Sequence, residues 1–402
     1  MTAQQHDVVV VGGGNAGISL AARLQRLGVD DVAVVDARTT HHYRPLLSYV
    51  GAGQATMADL ERPQRDVIPD GCTWVEDRVV AVDPDASVVR TRGGRTLGYR
   101  TLVLCPGLLE DWDATPGLVD AYADGWAAST FVADSAPRVW PALTALRSGS
   151  VVFTMPPEPA PCGATALKPL LMACEHWQRT GVLGDLTVHL VLPAASALGV
   201  PAGDEQVEWA LAAYGVQVLR EAQVEAVDHA ARSVSVVSPA GPRTLEDVAF
   251  AHVVPHYRAP AWIAEAGLAT ASSAGLVDVD PETLRHRRHP AIWSLGDVAD
   301  LGIRPSGGAL RKQVDVLADN IVATAGGAGA GTDDDLRRYD GYTVMPITVD
   351  RRRLLLVEVD RAGQPSPSAP FPDLTRPRRL TWAFDRYGLV QVYYRRILRG
   401  KV

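Results

Sequence analysis

Three glycines and an acidic residue near the amino terminus have types and spacing with a specific chemical use. Gly12, Gly14 and Gly17 form a G-x-G-x-x-G motif directly after the apolar run 8–11. The first glycine permits a tight turn, the second lets the backbone approach a pyrophosphate, and the third lets helix and strand pack closely. Phosphates would bind the amides and the positive dipole end of the following helix. Asp36 ends the next apolar run, where its carboxylate can accept hydrogen bonds from a ribose, so the sequence predicts a dinucleotide site.

The cysteines are a second group of chemically capable residues. The four thiols form no CxxC pair and no cluster with histidine, and they are Cys72, Cys105, Cys162 and Cys174. This spacing argues against structural zinc and against a disulfide scaffold, so no metal site is predicted. It fits the reducing cytoplasm, and the amino terminus leads straight into the first strand, with no room for a signal peptide.

The charge is unevenly distributed along the chain. The formal net charge of −7 makes a nucleic-acid partner unexpected. No apolar run approaches the roughly 20 residues of a membrane span, so membrane contact is expected to be peripheral. From Arg376 onward Asp385 is the only acidic residue, among many basic and aromatic ones. Such an amphipathic end suits an anionic membrane interface, or equally a helix docked on its own chain or on a partner subunit, including a homo-oligomer.

The elements that must position these residues follow an α/β pattern. A length of 402 residues suggests two or three domains. Residues 74–104 alternate in the manner of a β-meander, and a second alternation of strands and helices begins near Ser150. The first turn of this second unit reads PPEPAPCG, without a glycine fingerprint and with prolines that remove amide donors, so NAD(P)H binding is not expected there. The segment 326–335 is a flexible linker by composition.

Several stretches together resemble the sulfide:quinone oxidoreductase family, nearest its type II branch. They are VVVVGGGNAGISLA, THHYRPLLSYVGAG, PPEPAPCGATALK, GLVDVDPETLRHRRHP with SLGDVADL, and RYDGYTVMP. The resemblance implies an α/β fold with two Rossmann-like domains, a bound FAD, and a C-terminal amphipathic region that faces a membrane or a partner. The implied division is an FAD-binding domain of 1–114 and 247–330, a second Rossmann-like domain of 115–246, and a C-terminal region of 331–402.

The resemblance also implies which residues hold the FAD. A strand that ends in Gly296 and Asp297 just before a helix would bring a carboxylate to the sugar-like part of the cofactor. The full set expected to line the FAD is Gly12, Gly14, Asn15, Ala16, Gly17, Asp36, Ala37, Arg44, Pro45, Val80, Cys105, Pro106, Gly107, Gly296 and Asp297.

In that family a pair of cysteines flanks the isoalloxazine, sulfide attacks the sulfur bridge between them, and electrons pass through the flavin to a quinone. Cys162 matches the first cysteine, with Lys168 six residues on, and its place before a helix would favour a thiolate. The second cysteine is missing, because Met345 occupies its place and a thioether cannot form a disulfide. Cys174 lies 12 residues along the predicted helix, about 18 Å away, which exceeds the ~7 Å limit for bridging.

A second departure from the family places His256 and Tyr257 in a segment that is proline-rich elsewhere and lies near the flavin. A histidine can act as a general base near neutral pH. Three hypotheses stay open. The first is a cytoplasmic enzyme, peripheral on the inner face of the membrane, that oxidises sulfide or a related sulfur species through Cys162 and reduces a quinone or another acceptor. The second is a diverged flavoenzyme that acts on another small molecule with His256 or Tyr257, and the third is an FAD-binding assembly module without catalysis.

Overall fold

The computed structural model describes residues 3–272, 274–325, 335–369 and 373–401. Its strands are β1 (Gln4–Val11), β2 (Val32–Val35), β3 (Thr40–His42), β4 (Glu61–Pro63), β5 (Thr73–Val75), β6 (Val79–Asp83), β7 (Val88–Thr91), β8 (Thr96–Leu104), β9 (Leu109–Asp111), β10 (Gly149–Thr154), β11 (Leu186–Leu192), β12 (Gln217–Arg220), β13 (Gln223–Asp228), β14 (Ser233–Ser238), β15 (Gly241–Leu245), β16 (Val248–His252), β17 (His256–Arg258), β18 (Ile292–Ser294), β19 (Thr343–Thr348) and β20 (Leu354–Val359).

The helices of the described residues alternate with these strands through most of the chain. They are α1 (Asn15–Arg26), α2 (Leu47–Val50), α3 (Met57–Leu60), α4 (Gln64–Val67), α5 (Leu118–Ala123), α6 (Ala136–Ala145), α7 (Leu167–Thr180), α8 (Pro201–Ala213), α9 (Ala261–Glu265), α10 (Ala309–Ala325), α11 (Arg379–Ala383) and α12 (Leu389–Arg395). This mixed α/β order confirms the fold class expected from the sequence.

The first sheet contains the dinucleotide motif. Its strand order is β5-β2-β1-β8-β7-β6, with β18 beside the carboxyl half of β8. Strands β5, β2, β1, β8 and β18 are parallel, whereas β6, β7 and β8 pair antiparallel and form the predicted meander. The apolar residues of β1 and β2 are buried, as expected for a parallel sheet covered on its faces, and α1 packs against α10.

The second sheet has the order β12-β11-β10-β16, and every pair in it is parallel. Helices α7 and α8 make the crossovers between these strands, as the sequence pattern predicts. Strand β16 was expected within the first domain, because the predicted boundary fell at residue 247. That boundary is wrong, since β16 pairs with β10 and the chain leaves the second sheet only after His252. Strand β18 then joins the first sheet.

The carboxyl-terminal residues pack on both units. The hairpin β19–β20 packs against α7, and α11 continues through a π-helical turn, Phe384–Gly388, into α12. The predicted linker lies outside the described residues except for Asp335. Among the helices that the structure describes, none is both long enough and apolar enough to cross a membrane.

Candidate cofactor and redox site

The glycine turn between β1 and α1 is shaped by close backbone approaches. A Cβ atom on Gly17 would lie 1.9 Å from the carbonyl oxygen of Gly12, and one on Gly12 would lie 2.2 Å from the carbonyl oxygen of Cys105. Gly12 also has φ +111°, which L side chains rarely adopt. A Cβ on Gly14 would meet nothing closer than the Nη2 atom of Arg38 at 3.7 Å. The turn is therefore closed toward the protein and open at Gly14, where a pyrophosphate can approach.

Asp36 is bound to this turn at the end of β2. Its Oδ2 accepts a hydrogen bond from the Gly13 amide at 2.5 Å, and its Oδ1 accepts one from the Arg38 amide at 2.8 Å. The Arg38 guanidinium adds bonds of 3.0 Å and 2.6 Å. Burial opposes ionisation of this carboxyl, but the Arg38 cation and the amide donors outweigh it and lower its pKa. Asp36 is thus an ionised acceptor beside the glycine turn.

Gly296 and Asp297 reach the same turn from a distant part of the chain. Gly296 follows β18, has φ +80°, and a Cβ on it would lie 3.4 Å from the Cβ of Ala16. Burial raises the pKa of Asp297, and the cation of Arg44 works against that rise. Arg44 itself donates a hydrogen bond from Nη2 to the carbonyl of Phe131 at 2.8 Å. The structure therefore brings Gly296, Asp297 and Arg44, with its neighbour Pro45, to one side of the α1 amino terminus.

The other residues predicted for the cofactor divide into two groups. Cys105 donates from Sγ to the Gly12 carbonyl at 3.6 Å, and the Cα of Pro106 lies against Gly12, with Gly107 next along the chain. Asn15 accepts a bond from Ser19 and begins α1, and Ala37 is exposed beside Asp36. Val80 stands apart, since it lies on β6, three strands from β1, with 42% of its side chain exposed.

These residues fit a bound FAD. The open space at Gly14, the free amino end of a 12-residue helix, and an ionised acceptor at Asp36 suit its phosphates and ribose. The loop after β18 adds a carboxyl group across the same opening. Asp36, the turn amides and the 296–297 loop would therefore hold the cofactor.

Cys162 opens the short 3₁₀ turn Gly163–Ala166 that leads into α7, and it has φ +53° in the left-handed region. The expectation of a helix-stabilised thiolate is wrong for this structure, because burial raises the pKa of the Cys162 thiol to about 12. The Lys168 cation opposes that rise. Three carboxyl groups reinforce it, those of Asp297, Glu158 and Asp385.

Lys168 is fully buried and its charge is matched from the carboxyl-terminal helix. Its Nζ lies 2.9 Å from Oδ2 of Asp385, and the Tyr49 hydroxyl donates to the same oxygen at 2.6 Å. The ammonium also lies 4.8 Å from the centre of the Tyr49 ring. This cluster joins α7 of the second unit, α2 of the first and the π-helical turn beside Cys162. Removing one member would leave a buried charge without its partner.

Met345 lies on β19, the strand that packs against the turn opened by Cys162. Its side chain is buried, and its sulfur accepts a 3.9 Å contact from Nη1 of Arg304. Desolvation raises the pKa of the neighbouring Glu158 carboxyl, and the Arg304 cation only partly offsets that rise. Next to Cys162 the structure therefore has a thioether, an arginine and a carboxyl group, and no second thiol among the described residues.

His256 is not brought to this site. It pairs with Asp111 across the β17–β9 ladder and lines a small cavity with Met155 and Gln223. Burial lowers its pKa, partly offset by Asp111. Side chains alternate along a strand, so the next residue, Tyr257, points the other way. Its hydroxyl has no partner among the described residues, and its pKa is raised chiefly by burial, with Arg44 and Asp297 among the charges that act on it. Of the two residues, Tyr257 faces the site.

The remaining cysteines are not candidates for a redox pair. All four are free thiols, and burial raises the pKa of Cys174 within α7 and that of Cys72 to about 11. Across the described ranges no group of three or more histidine, cysteine or acidic residues could hold a metal ion.

Sequence reasoning missed Tyr49, Glu158, Arg304 and Asp385. Asp385 carried a signal, because it is the single acid in a basic segment that also has a regular apolar pattern. Tyr49 and Glu158 lie in stretches that carry the family resemblance, but neither was singled out, and Arg304 had no signal. The importance of all three arises from contacts between residues that are far apart in the chain.

The chain is similar to known proteins along nearly its whole length. A family model described as Pyridine nucleotide-disulphide oxidoreductase matches residues 6–136. The chain is 27% identical to the mitochondrial sulfide:quinone oxidoreductase of Mus musculus over 99% of this chain and 88% of that protein. The sulfide:quinone oxidoreductase structure from Aquifex aeolicus superposes with a TM-score of 0.81 at 18% identity, covering 99% of this chain and 92% of that one.

A chain from a large mitochondrial assembly has a similar fold. A chain of the Tetrahymena thermophila mitochondrial ATP synthase structure has a TM-score of 0.82 at 18% identity, with 99% of this chain and 97% of that chain covered.

Proposed function

We propose that this FAD-dependent oxidoreductase, a homologue of the sulfide:quinone oxidoreductases, oxidises sulfide or a related sulfur species at Cys162 and transfers the electrons to a quinone. The observation that supports it is the position of Cys162, at the junction of the two Rossmann-like units and within the charge field of Asp297 and Lys168. When bound, FAD supplies the two-electron acceptor.

The reaction at Cys162 needs one sulfur from the protein. The Cys162 thiol and H₂S combine to give a Cys162 persulfide, two protons and two electrons, so one S–S bond forms as two S–H bonds break. Met345 cannot exchange a disulfide, so the second sulfur cannot move to a neighbouring residue of the chain. An external thiol must therefore remove the outer sulfur and restore Cys162 as a thiol.

Lys168 is the residue that stabilises a negative charge on the sulfur of Cys162 or of its persulfide. A thiolate or persulfide anion at Cys162 is stabilised by the Lys168 ammonium and destabilised by the nearby carboxylates. Asp385 pairs with Lys168 and limits that stabilisation. Burial and these carboxyl groups therefore favour the neutral thiol of Cys162.

The proposal also includes the electron acceptor and the location of the enzyme in the cell. A quinone is apolar and resides in a membrane, so the reduced enzyme has to meet it at the membrane surface. The carboxyl-terminal helices, with exposed apolar and basic side chains, are the peripheral contact we propose, on the cytoplasmic side. A homo-oligomer is compatible with this arrangement.

The test is anaerobic stopped-flow mixing of the FAD-loaded protein with sulfide. We expect the flavin absorbance at long wavelength to bleach in wild type, and the rate to fall by at least 10²-fold in Cys162→Ser, because no nucleophilic sulfur remains. Cys72→Ser is the matched control, since this half-buried thiol also has a raised pKa but lies on the approach to β5.

Full bleaching in Cys162→Ser with unchanged FAD content would contradict the proposal. In that case a second candidate is favoured by the Tyr257 hydroxyl, which is buried, without a partner among the described residues, and close to Arg44 and Asp297. It is a flavoenzyme for a small organic donor that loses activity in Tyr257→Phe and keeps it after thiol alkylation.

A further inference from the structure

A cavity of about 410 Å³ lies on the side of the molecule formed by α7, the β19–β20 turn and α11. It takes no part in the chemistry at Cys162. Five arginines line it, and they come from three separate parts of the chain: Arg179, Arg351, Arg352, Arg353 and Arg379. Only two carboxyl groups, those of Glu175 and Asp350, line it with them. The cavity lining therefore carries more positive than negative charge, although the chain as a whole has a net charge of −7.

Two of the arginines are held by the protein. Arg351 donates from Nη1 to the carbonyl of Ala52 at 2.7 Å and lies 4.4 Å from the centre of the Trp140 ring. Arg353 pairs with Asp350 at 2.5 Å. The same carboxylate accepts hydrogen bonds from the amides of Arg352 and Arg353 at 2.8 Å and 2.7 Å. The hydrogen-bond acceptors of Asp350 are therefore occupied by its own turn.

The other three guanidinium groups have no such acceptor. Arg179, Arg352 and Arg379 are exposed, and none of them makes an ion pair with any residue that the structure describes. The positive charge of the lining arginines also affects a neighbouring residue. The pKa of His176 is lowered first by burial and then by Arg351 and Arg179. The Trp382 indole N–H at the cavity wall also lacks an acceptor among the described residues. These donors surround a space larger than a phosphate group.

An apolar face borders the cavity on the helix that contributes Arg379. Leu380 lies on α11, Phe384 begins the π-helical turn that follows, and Tyr387 lies within that turn and also lines the cavity. They are 78%, 52% and 57% exposed, respectively. Large apolar side chains with this exposure next to a basic cavity are unusual on a water-facing surface. Apolar side chains enter the acyl boundary of a membrane while basic ones remain with its head groups.

We propose that this cavity, the arginine cavity, binds the phosphate of an anionic phospholipid while Leu380, Phe384 and Tyr387 enter the acyl region beside it. Guanidinium groups bind phosphate oxygens in a bidentate manner, and basic cavities at a membrane surface recognise phospholipid head groups. The inference deepens the membrane contact proposed above by assigning a ligand to it, the phosphate of an anionic phospholipid, and it rests on that proposal for the presence of a membrane. Binding requires no turnover, so the two can fail separately.

The experiment is co-sedimentation of the FAD-loaded full chain with two kinds of vesicle at low ionic strength. One kind contains phosphatidylcholine alone, and the other also contains phosphatidylglycerol. Arg352→Gln with Arg379→Gln removes two guanidinium groups that lack ion-pair partners. Its matched control, Arg92→Gln with Arg95→Gln, removes the same charge from the exposed turn between β7 and β8. Flavin absorbance and the melting temperature check that each variant is folded.

We expect wild type and control to bind phosphatidylglycerol vesicles and to be released by salt. The cavity variant should bind them about fivefold more weakly for each arginine removed. Leu380→Gln should weaken binding to both kinds of vesicle. Equal losses in the cavity variant and the control would overturn the proposal, because charge alone would then explain the binding. So would the absence of vesicle binding together with an arginine-dependent rise in melting temperature caused by inorganic phosphate, which would assign the cavity to a soluble anion.

Discussion

Lys168 and Asp385 act on the same sulfur with opposite signs. Lys168 lowers the pKa of Cys162, and Asp385 raises it while neutralising Lys168. Asp385→Asn should therefore lower that pKa and speed alkylation of Cys162 at neutral pH, whereas Lys168→Met should slow it, each by about tenfold if the pKa moves by about one unit. The measurement is the iodoacetamide rate at Cys162 as a function of pH, in the FAD-loaded protein.

The double variant is the internal control for this pair. With both charges removed, the alkylation rate should return toward the wild-type value, because the two effects on Cys162 oppose each other. If both single variants change the rate in the same direction, the effect comes from loosened packing and the electrostatic role is refuted.

Asp36 gives a pH dependence whose sign can be worked out. Its pKa in the folded protein is below the ordinary 3.8, so ionised Asp36 stabilises the fold above pH 3.8 and this stability is lost as the pH falls through the lower folded value. Asp36→Asn should reduce the free energy of unfolding at neutral pH by about 1–2 kcal/mol, since Arg38 is largely solvent-accessible. Urea unfolding of both proteins from pH 7 to pH 3 should show this difference shrinking toward acid, and a constant difference would contradict the assignment.

At the residue level the sequence predicted Cys162 and the glycine turn, because the chemistry of both depends on residue type and local spacing. It did not predict the ionisation of Cys162. The helix that follows favours a thiolate, but burial and the carboxyl groups of Glu158, Asp297 and Asp385 outweigh it, and these come from separate parts of the chain. The sequence offered both His256 and Tyr257 near the flavin and could not decide between them, because the direction of a side chain on β17 depends on its pairing with β9.

Among the elements, the turn between β1 and α1 allows a sharp contrast between two glycines. A Cβ on Gly17 would collide with the Gly12 carbonyl, whereas one on Gly14 would meet only the end of Arg38. Gly14→Ala should therefore fold with a melting temperature close to that of the wild-type apoprotein and retain less FAD, and Gly17→Ala should lose soluble protein. Flavin absorbance after gel filtration and circular dichroism measure the two effects, and full FAD retention in Gly14→Ala would be the contrary result.

The elements themselves were predictable where they follow from local pattern. The meander, the first two strands and helices α7 and α8 appear where apolar periodicity placed them. The domain boundary at residue 247 failed, because strand order is decided by pairing and not by sequence position, and β16 completes the second sheet beside β10. The carboxyl-terminal helices are partly buried and partly exposed. Val390 and Tyr393 of α12 are buried on the chain, whereas Leu380 of α11 and Phe384 of the π-helical turn are exposed.

At the scale of the whole molecule, the second unit shares the architecture of the first but lacks its phosphate-binding turn. After β10 the chain runs through Met155, Pro156 and Pro157, where prolines offer no amide. NADH should therefore leave the flavin oxidised under anaerobic conditions, while dithionite bleaches it. Stopped-flow absorbance checks this, and rapid bleaching by NADH at micromolar concentration would show a nucleotide site that the turn does not suggest.

Residues of the carboxyl-terminal region pack against the first unit beside the dinucleotide turn. The Tyr393 hydroxyl lies 2.6 Å from Nε2 of His41, whose Nδ1 lies 3.3 Å from Gln64, and the Gln64 amide donates at 2.8 Å to the carbonyl of Gly13. A Cβ on Gly400 would lie 2.6 Å from the Arg23 amide of α1. The unit that contains α1 is thus completed by residues more than 300 positions later in the sequence. We expect a nascent chain stalled before α11 to capture little flavin, with loading delayed until α12 has been synthesised.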